Sequence, residues 1–133
     1  MAVEFSIVIF MFVSVLLAII DFSRWLFAIN SANEAAREGA RAAVVCDLGD
    51  GAIQQRMAPW LITATGGSIS VNYTPSGCVA NAGGGTPCAG VTVSLSGYTV
   101  PRVAWFLPTM TLPTATTFLP RESMDSTNND RCV

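Results

Sequence analysis

The sequence contains no histidine and no lysine, and its seven cationic side chains are all arginines. Charged residues make up only 12% of the chain, about half of the roughly 25% of an ordinary soluble domain. These absences exclude several chemistries. Without histidine there is no Ser-His-Asp set, and the common zinc ligand sets are largely removed. Without lysine the Gly-rich stretch GGGTP is no phosphate cradle. No basic cluster exists, so nucleic acid, which needs several cations on one face, is not an expected partner. Asp47 and Asp50 beside Gly51 lack the spacing and terminal Glu of a calcium loop. The chain is read as non-enzymatic, with no cofactor or metal.

What is abundant is apolar surface, 51% of 133 residues, concentrated near the start. Phe5 to Ile20 carries no charge and, as a helix, covers about 24 Å, slightly less than the roughly 30 Å of a bilayer core. Asp21 and Arg24 follow, three apart, where they can pair on one helix face, or bridge between copies. The apolar pattern then resumes to Ile29, and Trp25 suits a membrane interface. Helical periodicity continues through NSANEAAREGARAAVV. Glu34 and Glu38, with Arg37 and Arg41, mark polar rows, while Ala32, Ala36, Gly39, Ala40 and Ala43 form a small-residue stripe. A glycine inside a helix costs up to about 1 kcal/mol relative to alanine, which close approach of another element offsets. That element is either the chain's own sheet or a second helix. One helix is therefore expected over about 2–45, stopping at the glycines of CDLGDG.

The remainder reads differently. AIQQRMAPWLITAT is a short helix interrupted by Pro59. SISVNYT alternates as a strand. VTVSLSGYTV alternates again, with Val91, Val93 and Leu95 on one face. PRVAWFLPTM is a Pro-bounded apolar turn or short helix, LPTATTFLPRES a last irregular strand, and SMDSTNNDRCV a polar tail. Asn72-Tyr73-Thr74 matches a glycosylation sequon but is read as strand. The expected organisation is a helix over 1–48 and a small extracytoplasmic β domain over 49–133. The fold class is α+β, with the second half of the helix packed on a small antiparallel sheet.

Four cysteines allow three pairings. Cys78 with Cys88 would close the Gly-rich loop CVANAGGGTPC, leaving Cys46 with Cys132. Free buried thiols are the competing reading. Disulfides need an oxidising compartment, yet no basic residue precedes the apolar helix and several follow it, which by the positive-inside rule would put the cysteines in the cytoplasm. The conflict disappears if a short basic leader has been removed and the domain lies outside the cytoplasm.

The opening AVEFSIV, the element IIDFSR and the block NSANEAAREGARAAV together resemble type IV pilins, and more narrowly the TadE-like proteins of Tad (Flp) pili. TATTFLPRES is similar to that family's closing strand. The resemblance implies a type IV pilin-like fold and a prepilin peptidase that cuts before the helix. It also implies a bacterial inner-membrane protein that assembly machinery extracts, to self-associate into an extracellular filament that supports adhesion. Met1, Glu4 and Phe5 would set N-terminal register, with the Glu4 carboxylate meeting the amino terminus of a neighbouring subunit. Glu4 stands fourth, where the pilin glutamate is fifth. A reading from a different class is a single-pass envelope protein whose periplasmic domain binds a partner or ligand.

Overall fold

The computed structural model describes residues 2–80, 84–127 and 129–132. The centre of the CVANAGGGTPC loop, residues 81–83, lies outside that set. One long helix, α1 (Ala2–Ala43), is followed by a short α2 (Gly51–Met57) that runs into a 3-10 turn, Ala58–Leu61. Four strands follow: β1 (Thr65–Thr74), β2 (Gly90–Val100), β3 (Met110–Thr111) and β4 (Ala115–Pro120). Pro59 sits at the start of the 3-10 turn, where its missing N–H and its ring end the α-helical ladder.

The sheet is antiparallel and β2 is its central strand. β1 pairs along one side of β2, from Thr65 opposite Thr99 to Thr74 opposite Gly90. On the other side β4 pairs with the first half of β2, Gly90 to Leu95, and β3 with its end, Thr99 and Val100. The period-2 alternation decides which face is buried. Val91, Val93 and Leu95 are buried, with Ile69, Val71 and Leu119 packed against the same core. Ser68 and Ser70 face Ser96 and Ser94 on the opposite, solvated side.

The second half of α1 completes the core. Ala28, Ala32, Ala35, Ala36, Ala40 and Ala43 are each at most 3% exposed. At 3.6 residues per turn these positions and Gly39 occupy somewhat less than half of the helix circumference. α2 and the sheet share that arc: Met57 of α2 packs on Gly39 so closely that a Cβ there would meet the methionine side chain. The glycine thus makes room for the Met57 side chain as α2 approaches. The alanines keep the sheet near the helix axis, because side-chain size sets the packing distance.

The helix end is closed by the chain's other end. The N–H groups of Glu122 and Met124 donate to Val44 O, and that of Asp125 to Val45 O. These bonds satisfy carbonyls that a helix terminus leaves without partners. Cys46 is bonded to Cys132, and Cys78 to Cys88. Arg56 of α2 donates to Arg131 O at 2.7 Å. The polar tail, expected to be tied to the helix end by Cys46 and Cys132, therefore straps across the end of α1. The cysteine pairing makes the tie legible in the sequence, whereas the backbone-to-backbone capping has no side-chain signature.

Candidate membrane and assembly interface

The same helix has two environments. From Val3 to Ile20 most of its side chains are exposed, with only Ser14, Leu17 and Ala18 partly covered. Phe5 and Phe10 are each 65% exposed, and the run between and beyond them stays open. Among the described residues this is the one helix long and apolar enough to cross a membrane. Leucine, isoleucine, valine and phenylalanine dominate it. An uncovered patch of this size on a folded chain marks a surface that another apolar phase or partner covers.

The boundary falls at Asp21. Its side chain is 5% exposed and accepts three hydrogen bonds from the domain: Val103 N–H at 2.9 and 3.1 Å, and Ala104 N–H at 2.7 Å. Arg24 Nη1 lies 3.8 Å from the carboxylate and donates to Pro101 O at 3.2 Å. Trp25 Nε1 donates to Thr111 O at 3.2 Å. Spacing alone brings out the Asp21–Arg24 pair. The principal partners of Asp21 are backbone amides more than eighty residues away, which no local pattern reveals. The pair is anchored inside the chain, and the carboxylate holds the 101–104 segment onto the helix.

Glu4 lies in the first turn of α1 with Phe5 beside it, both exposed. A carboxylate there complements the positive end of the helix dipole. Met1 lies outside the described residues. The polar rows pair within the helix, Glu34 with Arg37 at 2.8 Å and Glu38 with Arg41 at 3.8 Å. Ala32, Ala36, Gly39, Ala40 and Ala43 all lie under the chain's own domain. Ser31 Oγ donates to Trp60 O beside them.

Asp50 forms the N-cap of α2, accepting from Ala52 N–H at 3.0 Å and from Ser126 Oγ at 2.8 Å. Those bonds, the Ala52 amide first, hold its carboxyl below the usual carboxylate range. Asp50 also sits close to Cys46 and Cys132. Both thiols are consumed in a disulfide, so a single carboxylate remains and the group does not make a metal site.

Residues 1–41 match the family model described as TadE-like protein. Over residues 1–41, within its long helix, the chain is similar to TadE-like proteins. No curated protein and no solved structure matches it. A TadE-like segment whose first half is a largely exposed apolar helix fits a membrane protein associated with the Tad pilus, a structural rather than an enzymatic setting. The match ends within α1, at the last turn before the strap. The sheet, α2 and both disulfides lie beyond it.

Proposed function

We propose that the chain is a structural subunit, a pilin or minor pseudopilin, of a Tad-type pilus. It is held in the bacterial inner membrane through residues 3–20 and then packed by the same residues among neighbouring helices in the filament. The observation that carries this is the uncovered apolar half of a helix whose other half has its inner face buried by its own domain. Lipid tails are as apolar as leucine, so transfer from bilayer to bundle gains little by burial alone. Extraction therefore calls for the pilus assembly machinery, and a prepilin peptidase would release the amino terminus. Glu4 would supply axial register by pairing with that terminus on a neighbour, since a carboxylate in apolar surroundings is costly unless paired.

The domain stays outside the cytoplasm, where its disulfides persist, and presents its serine- and threonine-rich sheet face to solvent as the filament's adhesive surface. The test is the composition of sheared surface fibres and the genetics of Glu4. The chain should be present in purified fibres, with a processed amino terminus by mass spectrometry. A Glu4→Ala variant should accumulate in the membrane and be lost from the fibres. A chain that stays in the membrane fraction with its leader intact would instead be a single-pass envelope protein.

A further inference from the structure

Among the described residues an exposed aromatic pair, Trp105 and Phe106, lies away from the bare helix, and its position is unusual. Leu107 N–H donates to Ala104 O at 3.2 Å, which closes a β-turn with Trp105 and Phe106 at its two central positions. Those positions normally go to Gly, Pro, Asn, Asp or Ser. Here they hold two large rings, Trp105 78% and Phe106 43% exposed, in an edge-to-face contact at 6.0 Å. The turn is preformed: Arg102 Nη1 donates across it to Leu107 O at 2.9 Å, and its first residues are fixed to Asp21. The segment just after it, Thr109 to Thr111, lines a shallow groove with Phe22 and Trp25.

The level at which this tip sits is set by the helix. Val3 to Ile20 spans about 27 Å, close to the roughly 30 Å hydrocarbon thickness of a bilayer. Asp21 is therefore at the far edge of the membrane core, and the turn bonded to Asp21 is at that edge too. Aromatic rings with a polar handle concentrate at this depth. Arginines lie with their stems along apolar surface and their heads among phosphates, and Arg24 and Arg102 flank the tip.

We propose that the Ala104–Leu107 turn is a second membrane contact, in which Trp105 and Phe106 enter the headgroup–acyl boundary of the outer leaflet beside the helix. This rests on the membrane-anchored reading of residues 3–20. The domain is then docked on the bilayer through two points, the helix and the turn, and its tilt relative to the membrane is fixed. Leaving the bilayer for a filament requires both contacts to break.

The test uses the full chain in liposomes containing lipids brominated at shallow or deep acyl positions, compared with Trp105→Phe. Subtracting the two emission spectra isolates Trp105. The expected result is a blue-shifted Trp105 component that shallow bromines quench more strongly than deep ones, at every protein-to-lipid ratio. A water-like, unquenched Trp105 component in a chain that still floats with the liposomes would overturn the turn contact and leave the anchor standing. A blue shift that appears only at high protein density, without bromine quenching, would assign the tip to a second copy and also overturn it. A chain that fails to float, with Trp25 unquenched as well, would overturn the anchor and this inference together.

Discussion

Residues 3–20 and 28–43 belong to one unbroken helix, yet they follow opposite rules. The first stretch is built mainly of phenylalanine, isoleucine, leucine and valine, and is largely exposed. The second puts alanine and glycine on its inner face and charged pairs on its outer one. Large apolar side chains stand where the chain itself leaves the helix uncovered. Small ones stand where the chain's own sheet and α2 close in. Residue size along a continuous helix thus marks where the folded domain ends and the borrowed environment begins, and Asp21 marks the changeover.

The largest expected effect lies at the closed end. Replacing Cys46 and Cys132 by serine removes a link across 86 residues and should lower domain stability by about 2–5 kcal/mol. Denaturant unfolding of the detergent-solubilised chain would measure it. The strap should loosen first, with Glu122 and Met124 amides exchanging faster. A double variant as stable as the parent would show that the strap holds without its covalent tie.

Next comes the contrast within the helix itself. Ala40→Leu inserts bulk into a fully buried position and should cost about 1–3 kcal/mol. Val8→Leu in the open half should change domain unfolding by less than about 0.5 kcal/mol. Equal effects from the two substitutions would erase the distinction between the halves. Asp21→Ala tests the changeover point. It leaves the Val103 and Ala104 amides without their acceptor, so their hydrogen exchange should accelerate while the helix around Ala32 and Ala36 stays protected.

The smallest effect is acid sensitivity at α2. The Asp50 carboxyl ionises more readily folded than unfolded, so it contributes stability above the unfolded carboxylate pKa. That contribution is lost as pH falls through the lower, folded value. NMR titration should place its midpoint below the ordinary aspartate value. Asp50→Ala should narrow its stability gap to the parent as the medium is acidified.

Much of this was legible in the sequence. The charge-free run from Phe5 to Ile20 is legible from its length and composition, the Val91, Val93, Leu95 alternation from its period of two, and both elements form where these signals put them. The stripe from Ala32 to Ala43 also obeys a period, but spacing cannot say which surface covers it. Ala28 and Ala35 join the buried arc because α2 and the sheet both press on the helix, and one stripe describes only one neighbour. The Asp21–amide bonds and the strap onto Val44 and Val45 are long-range and involve backbone atoms, so they leave no pattern in residue types. The aromatic turn did carry a signal: Trp105-Phe106 between two prolines occupies a place where turn-forming residues are expected.

The most direct measurement is a photo-crosslinker scan along α1 in fibres sheared from cells. Crosslinkers placed one at a time between residues 5 and 20 should give adducts between subunits at most positions. Those at 32, 36 and 40 should link only within the chain, to α2 or the sheet. Intersubunit adducts confined to the alanine face, with residues 5–20 silent, would contradict the division of the helix on which the pilin reading rests.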